Sequence, residues 1–159
     1  MAASINTASP VLALDSYALG TSGDKVALRV LGVDALVVAR VAPALMPVPA
    51  EGQDRLAIFA PATVFLNAAA SQRLGPTLQV QSALQLKRVT VAGRVSAGGA
   101  PLAVMDLGAA QDLFERQGQL SRIDLRLQPG TNAAALARTL QDAPDWPATL
   151  TLTEPSDAG

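Results

Sequence analysis

An α+β fold in two lobes is what this sequence predicts, and three observations carry the prediction. Apolar and polar residues alternate in short runs through much of residues 10–95, a two-residue period that belongs to strands. Beyond residue 101 the pattern changes to strand, helix, strand, helix, strand. Between them lies Ser96-Ala97-Gly98-Gly99-Ala100-Pro101, a loop composition and the clearest internal boundary. Strands in the middle and βα units at the end make the ordering of an α+β protein.

In order, residues 10–19 form a short β-like run closed by Gly20-Thr21-Ser22-Gly23-Asp24, which has turn composition. Val26, Leu28 and Val30 then alternate with Lys25, Ala27 and Arg29, so the two runs read as a hairpin. Residues 35–50 are apolar but broken by Pro43, Pro47 and Pro49. A polar loop at 51–55 leads to a short buried-type strand at 56–60, which Pro61 ends. Val64-Phe65-Leu66 is extended, and Asn67 is placed to cap a helix through Leu74, stopped by Gly75-Pro76. Leu78 and Val80, then Leu84, Leu86, Val89, Val91 and Val95, mark a meander with one wet face. After the loop, a strand at 102–105 is followed by a helix from an Asp106 cap through Arg116, with Gly118 after it. Ile123, Leu125 and Leu127 make one strand face, with Arg122, Asp124 and Arg126 on the other. Pro129-Gly130 turns the chain, and Thr131 is expected to cap a helix whose Ala133, Leu136, Ala137 and Leu140 share a face. A last strand is expected at 149–153.

Composition closes several functional classes. Of 159 residues 50% are apolar and only 16% charged, enough to bury a core and sparing of surface charge. Twelve basic against thirteen acidic side chains and 3% aromatics offer neither a cationic patch nor stacking platforms, so nucleic acid is not an expected partner. With no Cys and no His there is no thiolate, disulfide, zinc-type site or imidazole base. No run reaches the roughly 20 apolar residues that span a bilayer, and the first residues lack the basic and apolar regions of a signal peptide.

The residues that could carry chemistry have plainer roles. Gly20-Thr21-Ser22-Gly23-Asp24-Lys25 has the wrong spacing for a phosphate loop and opens a strand where a phosphate loop opens a helix. Asp34 ends a strand, Asp106 caps a helix, and Asp124 sits between two arginines, so no acid–base pair is expected. Ser71, Ser121 and Thr131 have no His, and a Ser–Lys dyad with Lys25 or Lys87 is the remaining enzymatic possibility, ranked last. No catalytic residue, metal ligand or cofactor-binding residue is therefore assigned, and no cofactor is expected. The unusual segment is 35–49. It reads as core between two lobes with Val37, Val38 and Val41 packed, and its end, Met46, Pro47, Val48 and Pro49, is a candidate partner contact. Gly98 and Gly99 are a candidate hinge.

Several stretches together resemble one family. These are Leu31-Gly32-Val33-Asp34, Val64-Phe65-Leu66-Asn67-Ala68-Ala69-Ala70-Ser71-Gln72-Arg73-Leu74-Gly75, Val89-Thr90-Val91-Ala92-Gly93-Arg94-Val95, Leu102-Ala103-Val104-Met105-Asp106-Leu107-Gly108-Ala109-Ala110-Gln111 and Ser121-Arg122-Ile123-Asp124-Leu125-Arg126-Leu127-Gln128-Pro129-Gly130. Their order and spacing resemble the extracytoplasmic core domain of FtsX-like and MacB-like ABC-transporter permeases over residues 26–140. Two departures stand out: a Gly-Asp usual after Leu-Gly is absent, and the first βα unit is missing, which implies a reduced first lobe or a start within it.

The resemblance implies one periplasmic core domain over 1–159, set between the first two membrane helices of an inner-membrane permease. Residues 1–19 with 119–159 would form a porter-like βαβ lobe, and 26–118 a mixed α/β, Sabre-like lobe. It further implies a non-enzymatic role, coupling cytoplasmic ATP hydrolysis to substrate export or partner activation by mechanotransmission. The implied partners are an ATP-binding subunit reached through the membrane helices, a second permease subunit, and a periplasmic or outer-membrane protein or lipoprotein. The alternative is a periplasmic substrate- or peptide-binding module without ATPase coupling.

Overall fold

A computed structural model describes residues 5–20 and 23–142. The order is β1 (Ile5–Leu19), β2 (Lys25–Val33), α1 (Val38–Val41), β3 (Val48–Pro49), β4 (Thr63–Leu66), α2 (Ala68–Arg73), β5 (Thr77–Ser82), β6 (Gln85–Arg94), β7 (Leu102–Asp106), α3 (Leu107–Leu113), β8 (Arg122–Leu127) and α4 (Ala133–Gln141). The α/β mixture expected from the sequence is present.

The strands close on themselves. Six run β2-β7-β4-β6-β5-β1, and β1 pairs again with β2, which makes a ring; β8 extends from β1 and β3 from β6. The hairpin at 10–33 is there, paired antiparallel from Val11↔Val33 to Leu19↔Lys25, and Gly23 N–H donates to Gly20 O at 3.1 Å in its turn. The β5–β6 meander is there too, from Thr77↔Thr90 to Ser82↔Gln85.

Strand alternation sorts the apolar residues into two layers. Leu12, Leu28, Val64, Val80, Val89 and Met105, one from each strand of the ring, share one buried cluster, the barrel interior. The helices after β4 and β7 seal it, contributing Ala70 and Leu74 at α2 and Ala109, Ala110 and Phe114 at α3. Because β4 and β7 are antiparallel, these helices close opposite ends. At Gly32 an added Cβ would lie 2.6 Å from Ala110 Cβ, so glycine there admits α3. The alternate residues Val11, Leu31, Phe65, Ala92 and Val104 face outward and are covered by Val38, Ala42, Leu45, Met46, Ala57 and Ile58.

The differences from the sequence reading have local causes. Residues 56–60, expected as a strand, form a 3-10 turn over Arg55–Phe59. Asp54 Oδ1 accepts from Leu56 N–H at 2.7 Å, which curls the chain. The edges of β4 are already held by β6 and β7. The cap of α4 is Asn132, not Thr131: Thr131 N–H is used in the Gln128 turn, and Asn132 Oδ1 accepts from Ala135 N–H at 3.0 Å. Helix α3 stops at Leu113 because Glu115 adopts φ 57. The expected strand at 149–153 lies outside the described residues.

Candidate functional site

Residues 35–49 are the outer cover of the barrel wall. Asp34 starts them: its Oδ1 accepts from Leu36 N–H at 2.9 Å and its carbonyl from Val38 N–H at 2.9 Å. This turn throws Leu36 outward, 76% exposed, and Val38 inward, 1% exposed. Val37 and Val41 are half-buried, so of the three valines expected in the core only Val38 is fully packed.

The candidate contact follows. Pro47 is buried, Val48 exposed, and Met46 and Pro49 half-buried. Val48 and Pro49 pair with Arg94 and Gly93, and Ala50 N–H donates to Ala92 O at 2.7 Å. β3 thus takes the edge of β6 beyond the point where β5 leaves it. Gly93 is what permits the crossing, since a Cβ there would collide with the Val48 carbonyl oxygen. Met46 and Leu45 pack inward beside it. Leu56 and Phe59, 68% and 39% exposed, lie on the same covering segment and escaped the sequence reading because the unbroken apolar run at 56–60 read as a buried strand.

Gly98 and Gly99 lie in the β6–β7 connection, Gly99 at φ 90, and neither has a neighbour that a Cβ would meet. Both ends of that loop are pinned: Ala97 N–H donates to Ala44 O, Asn67 Nδ2 to Ala100 O at 2.9 Å, and Arg29 N–H to Pro101 O. Asn67 is wholly buried and also accepts from Ala70 and Leu102 N–H, so one amide joins α2, β7 and the loop.

The residues weighed for chemistry stand apart. Asp106 caps α3 through Ala109 N–H at 3.0 Å, and Asp124 pairs with Arg122 at 3.0 Å. Ser121 bonds the Ala13 backbone, while Lys87 Nζ donates to Leu113 O at 2.7 Å, holding the end of α3. Among the described residues no three metal-ligating side chains gather. No helix among them is long and apolar enough to cross a membrane.

Neither a family model nor a curated protein matches the chain. Solved structures do. The extracellular domain of the noncanonic ABC-type transporter YknZ from Gram-positive bacteria superposes with TM-score 0.61 at 12% identity, covering 87% of this chain and 76% of that one. This chain has the same fold as that extracellular domain. The periplasmic region of MacB from Actinobacillus actinomycetemcomitans shares this fold with TM-score 0.58 at 10% identity, over 86% of this chain and 64% of that one. A domain of a putative permease protein from Porphyromonas gingivalis shares it at TM-score 0.53 and 14% identity, over 87% and 68%.

Proposed function

We propose that this chain is the extracytoplasmic domain of an ABC-transporter permease of the FtsX/MacB kind, coupling cytoplasmic ATP hydrolysis to substrate export or partner activation by mechanotransmission. The observation that carries the reading is the fold shared with the YknZ and MacB domains. The parent protein sits in the cell membrane with this domain on the extracytoplasmic side. It works with an ATP-binding subunit and a second permease subunit, and is not itself an enzyme. A periplasmic or outer-membrane protein or lipoprotein meets it at the exposed Val48 and the half-buried Met46 and Pro49, with Pro47 buried beneath them.

In this reading residues 26–118 make the Sabre-like lobe and 119–159, with 1–19, the porter-like lobe. β1 is shared between them, since its first half pairs with β8 and its second with β2 and β5. A packed barrel moves as a unit, and Gly98-Gly99 joins two of its strands, so as a candidate hinge it would swing the β6–β7 loop against the barrel and not one lobe against the other. The lobes touch where Arg126 Nη1 donates to Arg40 O at 3.1 Å. The test uses the full-length permease with its ATPase subunit in lipid nanodiscs. Arg40→Cys with Arg126→Cys, bridged by a short bis-maleimide, is expected to stop transport or partner activation while basal ATP hydrolysis remains. Failure of the full-length protein to co-purify with an ATP-binding subunit, or full activity when bridged, overturns the reading.

A further inference from the structure

Among the described residues the barrel has an open seam. β2 occupies one edge of β1 from Val11 to Leu19, so β5 and β8 share the other edge. β8 pairs there up to Val11 and β5 only from Ala18, which leaves residues 12–17 without a strand on that side among the described residues. Ser121 fills part of the gap, its hydroxyl accepting from Ala13 N–H at 2.8 Å and donating to Ala13 O at 3.1 Å. Backbone groups alternate along a strand, so the N–H and C=O of Asp15, two residues on, face the same gap. The β1–β5 register carried onward places Ala83 across from Asp15, but Ala83 turns away at φ 54.

A shallow groove of about 390 Å³ lies at this place, with Leu14 and Phe114 in its lining and Gln81, Glu115 and Arg116 around them. Its carboxylates are already paired: Asp15 with Arg29 at 3.1 Å and Glu115 with Lys87 at 3.7 Å. Arg116 is exposed, and among the described residues its guanidinium meets no carboxylate. In a lining that is otherwise polar, an open strand edge calls for extended backbone, the small apolar part at Leu14 and the edge of Phe114 for one aliphatic side chain, and an uncompensated guanidinium for an anion.

We infer that this seam binds an extended peptide segment, which bridges the Asp15 backbone, lays an aliphatic side chain over Leu14 and Phe114, and sets an acidic side chain against Arg116. The site belongs to the domain itself, so it stands whether or not the chain serves a permease. The probe is an mRNA-display library of random linear ten-residue peptides, selected on the whole chain. Selected peptides are expected to carry Asp or Glu beside Leu, Ile or Val. Their affinity should fall at least ten-fold in Arg116→Glu and less in Arg116→Gln. N-methylation of one peptide amide should weaken binding by a similar factor, and hydrogen exchange should slow at Asp15. A selection that yields no binder, peptides that bind Arg116→Glu and Arg116→Gln as tightly as the wild type, or protection away from Asp15 would each overturn the assignment.

Discussion

Replacing Gly93 by alanine is the sharpest perturbation of the covering segment. The added methyl would overlap the Val48 carbonyl oxygen and lie 2.9 Å from both Ala50 N and Phe65 Cδ2. Two of these three atoms are backbone, so no change of rotamer relieves the clash. Either β6 shifts within the barrel or β3 lifts from it. Lifting β3 breaks the Ala50–Ala92 hydrogen bond and the pairing of Val48 and Pro49, each bond being worth about 1 kcal/mol net. Forcing an extra carbon into a packed site costs about 1–3 kcal/mol. By either route the loss comes to about 2 kcal/mol, and with a urea m-value of about 2 kcal/mol/M it lowers the midpoint by on the order of 1 M. Urea denaturation reads this directly. Gly98→Ala is the control, since nothing lies within 4 Å of its Cβ position. Equal midpoints for Gly93→Ala and Gly98→Ala would refute the reasoning. Faster protease cleavage of residues 43–60 in Gly93→Ala would show that β3 lifts, and unchanged cleavage that β6 shifts instead.

Asn67→Ala removes an amide that serves three backbone groups, and the loss is expected to be about 3 kcal/mol, read as a lower thermal midpoint. Val38→Asp buries an unpaired charge and should cost several kcal/mol, on the order of 3, while Leu36→Asp, on a side chain 76% exposed, should leave the urea midpoint near the wild type. Phe65→Ala opens a cavity at a wholly buried ring, for about 3–5 kcal/mol in the same assay. Gly32→Ala meets Ala110 Cβ at 2.6 Å; the crowding is expected to cost about 1–3 kcal/mol, measured by urea denaturation.

The signals that acted within a few residues were legible in the sequence. Alternation marked β2, β5 and β8, Asn67 and Asp106 announced their helices, and the hairpin at 10–33 was written in a turn flanked by two alternating runs. The same local rules failed where a backbone group had two possible partners, as when Asp54 drew the amide of Leu56 into a turn and Asn132 took the cap position from Thr131. Leu36 was indistinguishable from Val38 by hydropathy, and only the turn at Asp34 set one outward and the other inward. The closed barrel was beyond the sequence altogether. Its decisive pairings, β2 with β7 and β4 with both β6 and β7, each join strands that are not consecutive in the chain. Residue type states that an edge needs a partner but not which one. That choice belongs to the whole fold, which must satisfy every buried backbone group at once, and it alone decides that β3 crosses Gly93, that 35–49 covers a wall, and that one stretch of β1 has no strand beside it among the described residues.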